Sequence, residues 1–572
     1  MNSILITSAL PYINGVKHLG NLVGSMLPAD VFARFQRARG RKTLFICATD
    51  EHGTPAELAA LEAGQDVATY CEEQHQIQKD LGQRFGLSWD FFGRSSNLPN
   101  RELTQRFARA LWRRGHLEVR TTRQVYSKSD NRFLPDRYVI GTCPYCGYER
   151  ARGDQCESCT RVLDPVDLIA PRSALSGATD IEIRDSAHLF LKQSQFTDAL
   201  RTWVSSHRSD WPLIVTSIAH KWLDEGLHDR GITRDLEWGI PVPDDIADGK
   251  LKGKVFYVWF DAPIEYIGAT VEWAEETGES ERWREWWYGD AAKEVTYFQF
   301  MGKDNVPFHT VGFPVTIMGS GEPWKLVDRI KGFNYINYCG GKFSTSQKRG
   351  VFMDSALEIL PADVWRYYLM ANAPESSDSN FTWEHFAATV NKDLADVVGN
   401  FVNRIMRFCA SRFDSRVPDE GTWGVEENAL AQELDTRVRS YTEFLEDCEF
   451  RKALAELRAI WVAGNEYLTR AAPWSAIRED RARAAVGVRV GLNLVHLFGH
   501  LSWPIIPDLG RRMHEAIMPA PEIIPWPIEP MHEFLDQLDH GMNVRPPDVM
   551  VAKITDEEIA AWQQRFAGNV TL

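Results

Sequence analysis

The chain lacks an uninterrupted apolar run of the roughly 20 residues that a membrane span requires. Its first residues also lack the basic start and apolar stretch of a secretion signal. Both absences lead to the expectation of a cytoplasmic protein with no membrane partner. There is no internal repeat and no low-complexity tract, which argues against solenoids and disordered arrays. Positive charge is in deficit: 64 Lys and Arg stand against 79 Asp and Glu, a net −15. That balance argues against indiscriminate nucleic-acid binding through bulk charge. An RNA partner then needs a local basic face. Arg404, Arg407, Arg412 and Arg416 fall at near-helical spacing and supply one, although charge alone reads equally well as a solvated helix side. Cysteine is sparse, nine in 572 residues. Five of them (Cys47, Cys71, Cys339, Cys409, Cys448) are scattered, as in a reducing compartment.

What is present is a soluble, multidomain composition, 44% hydrophobic and 25% charged. Residues 1–115 alternate short apolar runs, Ser3–Ser8 and Thr43–Thr49, with amphipathic helical runs. Alternation of this kind predicts a parallel sheet with helices on both faces. Leu22, Met26, Ala29 and Ala33 line one helix face, which Pro28 should disturb locally. Residues 116–230 break the alternation and read as an insertion. Strand-like runs return at Val255–Phe260 and Val295–Phe300, so 231–335 reads as the second half of the same sheet. Residues 336–388 carry a loop and a connector. Strand signals then vanish, and 389–540 shows helical periodicity, as in Val397–Phe413 and Ala453–Tyr467. Pro-rich segments lead into 541–572, with a last amphipathic helix near Asp556–Phe566.

Four cysteines, Cys143, Cys146, Cys156 and Cys159, form C-x2-C-x9-C-x2-C with glycines between the pairs. Two such knuckles place four thiolates around one Zn²⁺ with no open position, a structural site. At the other end of the argument stand two segments far apart in the chain. Thr7–Asn21 runs from a strand through a Gly/Asn turn into a helix, and puts His18 and Asn21 where helix N–H groups favour a phosphate. Gly340–Ser346 is a Gly-led loop of hydroxyl residues with Lys342 in front and Lys348 and Arg349 behind, a cationic clamp.

Together and in this order, His18-Leu-Gly-Asn21 and Lys342-Phe-Ser-Thr-Ser346 resemble the two signatures of class I aminoacyl-tRNA synthetases. The flanking Ala9-Leu-Pro-Tyr12 narrows the resemblance to the methionyl-tRNA synthetases. It extends from Ser8 to about Phe566. The resemblance implies a Rossmann-like α/β catalytic domain with a zinc-knuckle insertion, followed by an α-helical anticodon-binding bundle. It implies His18, Asn21 and Lys342 as catalytic, and Gly302, Asp304, Thr345 and Ser346 as further ATP contacts. Lys348, just behind the loop, is expected to swing in as a fourth catalytic group in place of the signature lysine missing at Thr345. Tyr257-Val-Trp259-Phe-Asp261-Ala-Pro263 and Phe300–His309 resemble the segments that wall the methionine pocket. Leu10, Tyr12, Asp50, Trp259, Ala262, Pro263, Tyr266, Asn305 and His309 then line it. Asp50 would take the α-ammonium, and His309 would face the thioether. Asn400, Arg404 and Trp474 match family residues that meet anticodon bases, which stacking and edge hydrogen bonds can read. The implied partners are L-methionine, ATP with Mg²⁺, and a methionine-accepting tRNA. One zinc is expected, because the family's second knuckle lacks its cysteines here. A monomer is the simplest expectation, since no extra C-terminal domain is evident.

The reading departs from the family pattern at Thr345, where a second signature lysine is usual. Two alternatives use the same residues: another class I synthetase or nucleotidyltransferase, and a non-catalytic tRNA-binding paralogue. The aromatic segment together with Gly302–His309 opposes the first. Adenylate formation separates the second.

Overall fold

The computed structural model describes residues 3–568 except 155, 157, 160, 162, 345–347 and 529. Its centre is a five-stranded parallel sheet: β1 (Ser3–Ser8), β2 (Thr43–Thr49), β3 (Phe91–Arg94), β4 (Val295–Gly302) and β5 (Arg329–Phe333). The order is β5-β4-β1-β2-β3. β1 pairs residue for residue with β4, from Ser3 opposite Val295 to Ser8 opposite Phe300. Its other edge pairs with β2. The apolar runs of β1 and β2 are buried on both faces, as covered parallel strands require. The winding direction reverses at β1, so a crevice opens at the carboxyl ends of β1, β2 and β4, where ligands of such folds bind.

The helical run after β1 is continuous from Leu19 to Ala38, but Leu22–Met26 is a π-turn. Pro28 follows directly, at the start of the regular α segment, so the disturbance expected from it is taken up by that wider turn. Leu22, Met26, Ala29 and Ala33 are all buried, as their spacing predicted.

The insertion is built from antiparallel sheets. Leu117–Ser127 pairs along its whole length with Ile181–Leu191, and Val139–Thr142 lies between Ala151–Arg152 and Ile169–Ser173. The expectation of a main-sheet strand at Val255–Phe260 is corrected. Only Val255–Phe256 is extended, and it pairs with Thr233–Arg234 outside the main sheet. Val258–Asp261 is a helical turn leading into Glu265–Glu276. An aromatic, β-branched run reads as a buried strand, but here tertiary packing overrides that preference. The second half of the sheet is β4 and β5 alone.

Beyond the strand Ser379–Phe381 the described residues form helices and connecting loops with no further strand, the long helices being Asn400–Arg412, Val425–Glu446, Phe450–Ala471 and Arg481–Ser502. Arg481–Ser502 is long and apolar enough by composition to cross a membrane, yet it is buried from Ala484 to Ser502 as the core helix of the bundle. One apolar core runs from the Phe32 side of the sheet through Trp365 into Trp461 of the bundle. A buried ion pair fastens the same junction: Arg366 on Ala362–Ala371 bonds Asp30 at 2.7 Å and the carbonyls of Ile505 and Phe85 at 2.7 and 3.1 Å. The terminal helix Asp556–Arg565 returns to the catalytic half. Phe566 stacks on Trp383 and its carbonyl accepts from Gly350 N–H at 3.3 Å.

Candidate active site

The crevice begins with β1 and its helix. His18 caps the helix: its Nδ1 accepts from Asn21 N–H at 3.2 Å, while Asn21 Oδ1 accepts from His18 N–H at 3.3 Å. This reciprocal box holds both side chains at the helix's positive end. Burial, with Lys17 beside it, pushes the imidazole down to about 4, so it is neutral near pH 7. A Cβ on Gly20 would sit 3.0 Å from the His18 ring, so any side chain there would push the imidazole aside by a few tenths of an ångström.

The second signature loop packs against the first. Phe343 stacks on the His18 ring at 4.6 Å with planes 15° apart. Leu19 N–H donates to Val351 O at 3.0 Å, and Met353 N–H to Lys17 O at 2.9 Å. Lys342 and Lys348 are exposed. Arg349 is not part of an open clamp. Its guanidinium bonds the carbonyls of Lys342, Tyr338 and Cys339 at 2.9, 2.9 and 3.3 Å. It is a strut for the loop backbone, and a Cβ on Gly341 would stand 2.2 Å from it. Thr345 and Ser346 lie outside the described residues.

The carboxyl end of β2 delivers Asp50, tied to the first loop by Ile13 N–H to Asp50 O and Asp50 N–H to Pro11 O, both 2.9 Å. The Asp50 carboxylate is buried and its Oδ1 has no partner. Burial, reinforced by Asp261 and Glu51, raises its pKa well above the usual range. Asp261, one Oδ held by His52 Nδ1 at 2.6 Å, likewise has an unpartnered oxygen. A pair of buried acids with free oxygens is a receptor for a cation. Lys17 stands nearby, and burial pushes its pKa down to about 7.

The aromatic wall forms beside it. Trp259 Nε1–H donates to the Tyr12 hydroxyl at 3.2 Å, and the indole packs on Phe308 at 4.4 Å and under Arg230. Tyr12 is 40% exposed and forms the rim, whereas Tyr266 and Pro263 are buried. Leu10 and Ala262 are half-buried between them. His309 is buried with both nitrogens engaged. Nδ1–H donates to Asn305 O at 2.9 Å, which leaves Nε2 to accept from the Tyr266 hydroxyl at 2.9 Å. The expectation that His309 faces a thioether directly is therefore corrected: it acts on the pocket through Tyr266. Gly302 ends β4, and the Asp304 carboxylate folds over it, 2.7 Å from where a Cβ would be.

Two further sites lie outside the crevice. The sulfurs of Cys143, Cys146, Cys156 and Cys159 all lie within 4.8 Å of one another, with Cys143–Cys159 at 3.9 Å and Cys146–Cys156 at 3.6 Å. Four thiolates about 2.3 Å from a tetrahedral zinc stand about 3.8 Å apart. Gly147, at φ +76°, makes the first turn. In the bundle, Arg404 lies over the Trp474 ring at 4.3 Å, and Asn400 is exposed one turn earlier on the same helix.

Residues 4–406 match the family described as tRNA synthetases class I (M), and 417–571 match the anticodon binding domain of methionyl tRNA ligase. The chain belongs to this family. Curated relatives include a methionine–tRNA ligase of Ruegeria sp. strain TM1040, 60% identical over 100% of both chains, and one of Streptomyces avermitilis, 56% identical over 99% of both. The fold is shared with a methionyl-tRNA synthetase of Mycobacterium tuberculosis solved in complex with methionyl-adenylate, at a TM-score of 0.76 and 23% identity over 96% of this chain and 99% of that one. Within the synthetase family frame, the sequence reading missed Lys17, Asp261, His52 and Phe343. Lys17 and Phe343 sit inside the quoted motifs, but only the fold reveals that the first, bonded to Asn14 Oδ1 at 3.0 Å, lies within electrostatic reach of Asp50 and that the second stacks on His18.

Proposed function

We propose that the crevice activates methionine with ATP and then transfers it to tRNA, as a methionine–tRNA ligase. The observation that carries this is the stack of Phe343 on His18. It joins the two phosphate-handling segments at one point, beside an acid pair and an aromatic wall.

Methionine enters with its ammonium against Asp50 and Asp261 and its side chain among Tyr12, Trp259 and Tyr266. Sulfur near aromatic edges adds a preference that apolar contact alone lacks, since a methylene is worth only about 1–3 kcal/mol. The adenosine lies over Gly302 and Asp304. The methionine carboxylate attacks the α-phosphorus and the α–β anhydride bond breaks, giving methionyl-adenylate and pyrophosphate. His18 and Asn21, neutral donors at a helix start, hold the phosphates. Lys342, with Lys348, offsets the charge that develops on the departing pyrophosphate. Thr345 and Ser346 complete the loop in this reading, and Mg²⁺ arrives with the ATP. A terminal ribose hydroxyl of tRNA then attacks the carbonyl and releases AMP. Asn400, Arg404 and Trp474 meet the anticodon. Arg407 and Arg412 are exposed on the same helix, whereas Arg416 lies beyond its end, so the four arginines do not form the single helix face their spacing suggested.

The cysteine knuckle holds zinc. The sulfur separations fit four-coordination, and zinc there supplies folding energy to the insertion.

The test is a charging assay. Purified chain with ATP, Mg²⁺, labelled methionine and a methionine-accepting tRNA transcript is expected to yield an alkali-labile ester on the tRNA. Methionine-dependent pyrophosphate exchange without any ester would sink the transfer half. Absence of both would support the non-catalytic alternative.

A further inference from the structure

A count from cysteines alone gives one metal ion, but the described residues hold a second cluster of ligand atoms. His496 and His500 lie one turn apart on Arg481–Ser502, so their rings leave the same face. His514 comes from the last turn of Pro507–Glu515. All three are buried, at 4%, 6% and 3% exposure. Their ligand atoms lie within 4.8 Å of one another. His496 Nε2 is 3.0 Å from His500 Nε2 and 3.2 Å from His514 Nε2.

Counting protons shows what this centre is suited to hold. His500 Nδ1 is 2.6 Å from Pro525 O, and His514 Nδ1 is 3.2 Å from Met518 O. A carbonyl can only accept, so both Nδ1 atoms carry the hydrogen, and in a neutral ring each Nε2 then presents a lone pair. Two lone pairs thus aim at one buried point. His496 is the third ring, its Nε2 facing both of the others. As placed, its Nδ1 accepts from the Gln537 amide nitrogen at 3.3 Å, which puts its hydrogen on Nε2 between the other two rings; amide orientation is interchangeable, and turning Gln537 over reverses this. When that amide presents its oxygen, His496 carries its hydrogen on Nδ1 as well, and three lone pairs converge.

Imidazole ligands of metals are held in just this way, with the remote ring nitrogen donating to a carbonyl or amide that fixes the tautomer. Nitrogens about 2.0–2.1 Å from a tetrahedral ion stand about 3.3 Å apart, so the observed spacing needs a shift of only tenths of an ångström. Phe534 closes one side, stacked on His496 and edge-on to His500.

We propose that His496, His500 and His514 bind one divalent first-row cation of the zinc type through Nε2, at a site distinct from the cysteine knuckle. All-imidazole ligation suits zinc, cobalt, nickel and copper over calcium or magnesium. The ion would fasten Arg481–Ser502 to Pro507–Glu515 and to the segment at Pro525. It therefore has a structural role in the bundle and no part in the activation chemistry.

The experiment uses the full chain, stripped with chelator and titrated with Zn²⁺ and, separately, with Co²⁺. Two equivalents are expected. Cobalt in the thiolate site gives intense sulfur-to-metal charge transfer in the near ultraviolet, whereas an imidazole site adds only weak visible bands. Cys146→Ser with Cys159→Ser is expected to lose the charge-transfer band and keep one equivalent. His514→Gln is expected to keep that band and lose the other equivalent, along with the part of the thermal stabilisation that metal confers. His496→Gln serves as a second variant, and methionine-dependent pyrophosphate exchange reports whether each chain is folded. A wild-type chain that binds no metal beyond the knuckle would overturn the proposal and leave a hydrogen-bonded imidazole trio. So would a folded His514→Gln chain that still takes two equivalents.

Discussion

The His18 imidazole lies against the Phe343 ring, centroids 4.6 Å apart and planes 15° from parallel. One residue caps the first helix, and the other follows Lys342 at the head of the second signature. In the fold it is the loop's anchor. Gly350 has φ +104° and would place a Cβ 2.2 Å from Phe343, so the loop's return path is shaped around that ring. Aromatic pairs of this kind contribute about 0.5–1.5 kcal/mol beyond burial. Phe343→Ala should therefore lower the rate of adenylate formation about 3- to 10-fold. The KM for methionine should hardly move, because the ring does not touch the amino-acid pocket. Pre-steady-state adenylate formation checks both. An effect on methionine KM alone would place Phe343 elsewhere in the mechanism.

With Arg349 committed to backbone carbonyls, Lys348 is the cation placed to stand in for the lysine absent at Thr345. Losing such a contact typically costs ~10²–10³ in rate. Lys348→Ala should show a loss of that size in pyrophosphate exchange, with methionine affinity little changed, and Thr345→Lys in the same chain should restore much of it. A silent Lys348→Ala beside a crippled Lys342→Ala would assign the role to Lys342 alone.

Asp50 must be ionised to receive an ammonium, and its pKa is raised by burial, Asp261 and Glu51, with Lys17 opposing that rise. Methionine affinity should therefore improve as pH increases through the Asp50 titration. Lys17→Met removes the opposing positive charge and raises the Asp50 pKa further. Lys17, pushed down to about 7, is charged at pH 6.5 and mostly neutral at pH 8.5, so the KM for methionine in this variant should worsen more at the lower pH, while the KM for ATP stays flat across that range. A uniform loss at both pH values would show that Lys17 acts by contact rather than through Asp50.

Much of this was legible in the sequence, and the reasons differ by element. β1 and β2 announced themselves because strands buried on both faces are unbroken apolar runs. The four cysteines needed only their spacing. The segment at Val255–Phe260 misled because a run rich in aromatic and β-branched residues reads the same in a strand and in a buried turn before a proline. Arg349 looked like a free cation because its partners are carbonyls, which no side-chain pattern reveals. The partners of His309, Tyr266 and the Asn305 carbonyl, were not legible, since tautomers follow from neighbours that only the fold supplies. The three histidines gave no motif, because His514 joins the other two only through packing of separate helices.

Arg404 and Trp474 were chosen from separate segments, and the fold stacks them at 4.3 Å. A cation–π pair at an exposed site is worth about 0.5–1 kcal/mol, so each prearranges the other for a base. Arg404→Ala and Trp474→Ala should each raise the KM for tRNA sharply and leave pyrophosphate exchange nearly intact. The double variant should cost less than the sum of the two. Strict additivity would mean that the pair is not a unit, and equal losses in both half-reactions would argue against an anticodon role.

The most direct test of the central claim is amino-acid-dependent ATP–pyrophosphate exchange by the purified chain across a panel of amino acids. Methionine should support exchange far better than leucine, isoleucine or cysteine, because in the proposed pocket Tyr12, Trp259 and the Tyr266–His309 pair would surround the side chain while Asp50 and Asp261 would hold the ammonium. Another amino acid exceeding methionine tenfold, about 1.4 kcal/mol in transition-state binding, would contradict the account, as would exchange that no amino acid stimulates.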